Sequence, residues 1–279
     1  MHIQRGAWAE INLDAVAHNV QMAKANLKPT TKLCAVVKAD AYGHGAVRVA
    51  QEAARNGADF FAVALLQEGV KLREAGIETP ILVLGSMLPE VAEICVRYDI
   101  SHAVFDEERL YALNAAALKL HTKAKIHIKI DTGMHRIGVH VRDAGRFAKL
   151  AASLPGIYIE GVFSHFATAD ADDKQYAAYQ FERFQEALRL IEAEGVHIPI
   201  RHIANSAALT ELQEYQLDMV RQGITLYGLH PAHMIDCYKD FEPVMTVKTQ
   251  VAFVKTLPPG ETIGYGRTYT LTRPSVIAT

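Results

Sequence analysis

Residues 32–57 read KLCAVVKADAYGHGAVRVAQEAARNG, and the order of textures in them decides the fold. Leu33 to Val37 is an apolar, strand-like run. A polar turn punctuated by Gly43 and Gly45 follows, and 46–56 is an amphipathic helical stretch that Gly57 is placed to cap. The strand delivers one lysine, Lys38, to its end. A buried strand does not ordinarily finish on a lysine, because an ammonium group is expensive to desolvate. That expense lowers the proton affinity of the amine, which suits a nucleophile that forms an imine.

The same strand–turn–helix texture recurs along the chain. Apolar runs at 32–37, 60–64, 81–84, 102–105, 125–130, 158–163, 200–203 and 218–221 read as strands. Helical stretches lie between them, including 67–75 ending on Gly76 and 174–194 ending on Gly195. Eight strands with intervening helices predict a (β/α)8 barrel over residues 1–230. A doubly wound open sheet is the alternative, but no GxGxxG or Walker-type loop supports it. From residue 231 the texture is β: 244–254 alternates, Pro258-Pro259-Gly260 is a turn, and 263–271 reads as a further strand. Residues 231–279 are therefore expected to be the opening strands of a smaller β domain. They stop within an apolar run, so the domain is expected to be cut short.

The 279 residues are half hydrophobic and 22% charged, with a net charge of −2. That balance gives no reason to expect nucleic acid or an acidic membrane as partner. Cys34, Cys95 and Cys237 form no CxxC pair and read as reduced thiols. The first residues lack the apolar core of a signal peptide, and no apolar run approaches the ~18–20 residues of a membrane span. The expected location is the cytoplasm.

In a barrel, chemistry gathers at the C-terminal ends of the strands. Those ends carry Lys38 and Tyr42; Lys129, Asp131 and Arg136; Ser164 and His165; Asn205 and Ser206; then Arg221, Gly223 and Ile224. No Asp, Glu or His cluster has metal-ligand spacing, so no metal is expected. The set suits a phosphorylated, carbonyl-bearing cofactor. Lys38 supplies the amine, backbone N–H groups at Gly223 and Ile224 with the hydroxyls of Ser206 and Tyr42 suit a phosphate, and Arg136 suits a substrate carboxylate.

Six stretches, AVVKADAYGHG (35–45), KIDTGMHRIG (129–138), SHFATAD (164–170), HIANSAA (202–208), VRQGITLYG (220–228) and GYGRTYT (264–270), resemble the alanine racemase family in the family's own order. The resemblance spans essentially the whole chain. It implies a barrel with a C-terminal β domain, pyridoxal 5'-phosphate as cofactor, and a homodimer that supplies D-alanine for the bacterial cell wall. Carried over, Lys38 holds the cofactor and is one catalytic base. Tyr265 is the other base, acting on the opposite face of the α-carbon and entering from the second subunit. His165 flanks the cofactor ring and bonds that tyrosine, Arg221 donates to the pyridine nitrogen, and His202 supports it. Tyr42, Ser206, Gly223 and Ile224 bind phosphate, Arg136 holds the substrate carboxylate, and Lys129 matches a position that can carry a carbamate. The alternative for Lys129 is an unmodified lysine paired with Asp131. His44, His127 and His135 read as structural.

An arginine at the pyridine nitrogen does not readily give up its proton, so the ring stays largely unprotonated and side reactions are restrained. Decarboxylases of the same barrel type place an acidic residue there, which argues against that reading. A non-catalytic pyridoxal-phosphate-binding protein resembles the barrel half only, and Tyr265 argues against it. Racemisation of serine or another small amino acid remains the nearer alternative. Members of the family continue beyond this chain's last residue, so weak cofactor binding and poor or absent turnover are expected.

Overall fold

The computed structural model describes residues 6–231 and 238–279. They divide into two units, residues 12–244 and residues 6–11 with 245–279.

The larger unit is an eight-stranded parallel barrel: β1 (Lys32–Val36), β2 (Phe60–Val63), β3 (Ile81–Val83), β4 (Ser101–Val104), β5 (Ala124–Asp131), β6 (Ile157–Phe163), β7 (Ile200–His202) and β8 (Met219–Gln222). Their hydrogen-bonded order is β8-β1-β2-β3-β4-β5-β6-β7. The ring closes between β7 and β8, where the Asp218 N–H donates to the Arg201 carbonyl at 3.1 Å and the Arg221 N–H to the Ala204 carbonyl at 3.1 Å. All eight expected strands are present. They are predominantly apolar because both faces are covered, one by the barrel interior and one by helices, and the polar exceptions gather mainly on β5 to β8. The helix Ala46–Arg55 shows how: Ala46, Val49, Ala50 and Ala53 are its buried residues, a 3-4 spacing that lays one stripe on the strands.

Strand periodicity decides what enters the interior. Cys34, Val36, Phe60, Ala62, Leu82, Ile200 and Met219 pack together in one buried cluster inside the ring. Alternate residues continue on the same face, so Cys34 and Val36 are followed inward by Lys38, and Met219 by Arg221. Between β5 and β6 the register shifts, with Ile126 opposite Ile159 but His127 opposite Gly161. Glu160 is thus the extra residue of a β-bulge, a device that re-aims a side chain.

Three expectations need correction. A short strand, Ala7–Ile11, pairs antiparallel with Met245–Thr249, so residues 6–11 group with the smaller unit and not with the barrel. Alternation over five residues beside a partner more than 230 positions away leaves no local signal. Residues 238–244 group with the barrel, and the boundary falls after 244, not 230. Asn19 explains this. Its side-chain amide donates to the carbonyls of Leu226 at 3.1 Å and Glu242 at 2.8 Å, and its Oδ1 accepts the Glu242 N–H at 2.7 Å. Gly228 lies against this segment so closely that a Cβ there would sit 1.9 Å from the Glu242 carbonyl oxygen. Finally, 263–271 is not one strand. Thr262–Ile263 pairs with Tyr269–Thr270, and the turn Tyr265–Arg267 interrupts them, with Gly264 and Gly266 at φ 69° and 73°. The remaining antiparallel pair of this unit joins Val254–Leu257 to Ser275–Ala278 across that turn.

No described helix is long and apolar enough to cross a membrane. Cys34 and Cys95 are free and buried, and burial pushes both thiols up to about 12, which leaves neither as a nucleophile. Cys237 lies outside the described residues.

Candidate active site

A cavity of 460 Å³ opens at the C-terminal ends of the barrel strands. Lys38, Tyr42, Lys129 and Arg136 line it, as do His165, Ser206, Arg221, Gly223 and Ile224. Tyr265 is not among the lining residues. It begins the turn Tyr265–Arg267 of the smaller unit, where its side chain is fully exposed.

Lys38 lies two residues beyond the end of β1, after Val37. The next four residues, Ala39, Asp40, Ala41 and Tyr42, all have φ between 52° and 55°, a left-handed turn built without glycine. Such a conformation costs L-residues roughly 1–2 kcal/mol each, and strain of this kind persists where the surroundings over-determine it. The turn sends Lys38 into the cavity and brings the Tyr42 ring to 5.7 Å from the lysine Nζ. The amine makes no hydrogen bond or ion pair among the described residues. Burial first, and then the Arg136 charge, pull its pKa below the ordinary lysine value, with Glu68 opposing.

Across the cavity, Ser206 Oγ accepts the N–H of Gly223 at 2.8 Å and lies 3.2 Å from Thr225 Oγ1. Residues Ile224–Tyr227 form a helical turn that starts at this point, and its first N–H groups face outward from the turn. A Cβ on Gly223 would enter the space bounded by Tyr42 Oη at 3.3 Å and Ser206 Oγ at 3.7 Å. This cradle of N–H and O–H donors fits an oxyanion.

Arg221 is buried in the floor. Its guanidinium donates to His202 Nδ1 at 2.6 Å, to the Ser164 carbonyl at 2.8 Å, to the Ile203 carbonyl at 3.1 Å and to His165 Nδ1 at 3.0 Å. Burial pulls its pKa down to about 10, so it stays charged at neutral pH. A guanidinium has only donors. Both Nδ1 atoms must therefore accept, and both histidines carry hydrogen on Nε2. His202 Nε2 then donates to His127 Nδ1 at 2.9 Å, and His127 Nε2 to Glu160 at 3.1 Å. Glu160 also accepts the Ser101 hydroxyl. Burial would raise this carboxyl, but His127 and Ser101 hold it below the ordinary glutamate value. His165 and His202 are held well below the ordinary histidine value, chiefly by burial and then by Arg221.

His127 and Glu160 thus belong to the site's support, although from the sequence His127 reads as structural and Glu160 sits in no motif. The signal was Gly161. A glycine inside a strand marks a bulge or a close approach, and a Cβ there would meet His127 Nδ1 at 2.5 Å.

Lys129 is buried and donates to the Ile130 carbonyl at 2.8 Å. Burial and then Arg221 bring its pKa down to about 7. Asp131 is not its partner, because that carboxylate accepts the N–H groups of Gly133 at 3.1 Å and His135 at 3.0 Å and pairs with His135 Nδ1 at 2.9 Å. Arg136 stands exposed at the mouth with no hydrogen bond or ion pair among the described residues. Lys38, Lys129, Arg136 and Arg221 face one lining carboxylate, Asp170, so the cavity favours an anion.

Comparison with known proteins agrees with this geometry. The family model described as alanine racemase, N-terminal domain, matches residues 11–231, and the alanine racemase C-terminal domain model matches 244–279. The alanine racemase of Desulfovibrio desulfuricans is 46% identical over 275 residues, 99% of this chain and 74% of that protein. That of Halothermothrix orenii is 45% identical over 277 residues, 99% of this chain and 73% of that protein. The solved alanine racemase of Clostridium difficile superposes with a TM-score of 0.91 at 38% identity, over 99% of this chain and 73% of that one. The Bacillus anthracis alanine racemase with bound L-Ala-P gives 0.89 at 36% identity, over 100% of this chain and 72% of that one. Matched along both units in sequence and in three dimensions, the chain belongs to the alanine racemase family of isomerases.

Proposed function

We propose that this chain interconverts L-alanine and D-alanine with pyridoxal 5'-phosphate as cofactor, through two bases, Lys38 and Tyr265. The observation that carries this reading is the cavity itself. An amine without a hydrogen-bond partner, an oxyanion cradle and a buried guanidinium share one space among cationic walls. These residues fit the cofactor: Lys38 suits its carbonyl carbon, Tyr42, Ser206, Gly223 and Ile224 its phosphate, and Arg221 its ring nitrogen. When bound, the cofactor withdraws electrons from the substrate's Cα–H bond.

The protein's part is to hold alanine and move its α-proton. Arg136 offers a bidentate fork for the carboxylate. Lys38, its proton affinity lowered by burial, takes or returns a proton at Nζ. Racemisation requires a second base on the other face, and Tyr265 of a second copy is assigned that role, with His165 Nε2–H as its hydrogen-bond donor. A phenol is a reluctant base, and the cationic Arg221 behind His165 favours its ionised form. Arg221 keeps its proton, so the ring nitrogen it faces stays unprotonated. With its pKa brought down to about 7, Lys129 has a substantial neutral fraction, and that amine is suited to capture carbon dioxide as a carbamate beside Arg136. Homodimerisation, a cytoplasmic location and supply of D-alanine for the cell wall complete the reading.

Borohydride reduction in the presence of pyridoxal 5'-phosphate, followed by peptide mapping, should place the pyridoxyl group on Lys38 and abolish racemisation of alanine. Label on Lys32 or Lys129 in its place would sink the assignment.

A further inference from the structure

We propose that Glu68 is a positioning residue for Lys38, its carboxylate pinning the left-handed turn that aims the lysine into the cavity. The inference rests on the assignment of Lys38 above. Glu68 lies in the helix Leu66–Glu74, which follows β2. Its Oε2 accepts the N–H groups of Ala64 at 2.8 Å and Leu65 at 3.0 Å, the ordinary work of a glutamate in a helix's first turn. Its Oε1 does something else: it accepts the N–H of Ala39 at 2.6 Å, 29 residues away. One carboxylate thus ties the loop after β2 to the first residue beyond Lys38.

That residue is where the strain begins. Ala39 opens the run of four left-handed residues, and neither its side chain nor those of Ala41 and Tyr42 favours the conformation. The far end of the turn has its own anchor. Asp40 Oδ1 accepts the Ala46 N–H at 3.0 Å and pairs with Lys71 at 3.2 Å. Glu68 holds the near end, beside the lysine. It is also the group that opposes burial and Arg136 in setting the lysine's proton affinity.

Capping needs one oxygen, and pinning the turn needs both together with the full length of the side chain. Glu68→Asp keeps a first-turn carboxylate but is one methylene too short to serve both loops. Glu68→Ala removes both roles. Two measurements decide the matter. The first is the rate at which borohydride traps pyridoxyl on Lys38, with Lys38→Ala as control. In both Glu68 variants it should fall by about tenfold or more, since a small misplacement of a reacting group is costly. Glu68→Asp should melt close to the parent protein. The second needs no cofactor: amide exchange at Ala39 should lose protection in both variants. Parent-like trapping rates in both variants overturn the proposal, as does undiminished protection at Ala39. If Lys38→Ala traps as much label as the parent, the cofactor assignment of Lys38 is what fails, and Ala39 exchange alone then decides whether Glu68 pins the turn.

Discussion

Residues 12–244 bury aliphatic and aromatic side chains on both faces of eight strands, whereas residues 6–11 and 245–279 bury Leu271 alone among the described residues. In the smaller unit Val247, Phe253, Tyr269 and Val276 are all more than half exposed. The two proposed bases divide along the same line. Lys38 is held by a strained turn and surrounded by fixed charges; Tyr265 stands fully exposed on a two-glycine turn. Groups whose geometry must be exact sit in the region that can over-determine them. The lesson is that stability resides in the barrel and, on the proposed assignment, binding with it, so Tyr265 should be alterable at little cost to either.

Tyr265→Phe is the sharpest test of that division. Loss of a general base typically costs 10²–10⁴-fold in rate. Proton exchange on one alanine enantiomer should suffer a loss of about this size and the other far less, with the melting midpoint unchanged. Equal losses on both enantiomers would remove the two-base assignment.

Next in size is a contrast in packing. Ile126→Ala inside the barrel wall should destabilise the protein by about 2–5 kcal/mol, and Val276→Ala on the exposed antiparallel pair by no more than about 0.5 kcal/mol. Denaturant melts of the two variants check this, and similar values would erase the comparison.

A third contrast concerns pH. His165 and His202 are kept neutral in the folded barrel, with pKa values well below the ordinary 6.5. Below pH 6.5 the unfolded chain binds protons that the folded chain refuses, so stability falls as pH drops. The slope is about 1 kcal/mol per pH unit for each histidine at the acid end. Glu160, held below its ordinary value, adds to the loss in the same direction at lower pH. Thermal melts between pH 7 and 5 should show the decline, and a flat profile would refute it.

The eight strands were legible because each is an apolar run closed by a turn or a glycine-capped helix, both local signals. The cavity residues were legible because period-2 alternation carries Lys38, Lys129 and Arg221 inward from strands already identified. What was not legible depends on chain closure or on special backbone. Ser101, His127 and Glu160 come from three different strands, and nothing along the chain connects them to the pair of His202 and Arg221 that the family resemblance had joined. A left-handed turn through Ala39, Asp40, Ala41 and Tyr42 contradicts the preference of three of its four residues, Asp40 being the tolerant one. Asp131 turned to His135 and not to Lys129, because the turn 131–135 offered two N–H groups beside the imidazole.

The hydrogen bonds that run from Arg221 through His202 and His127 to Glu160 have only one direction. They begin at a cation that does not release its proton and end at a carboxylate that is already ionised at neutral pH. Such a string orients rings but carries no current of protons. Along this string the floor of the cavity is in effect an insulator, so on the proposed mechanism a proton taken up at Lys38 is not relayed away through Arg221 and His202.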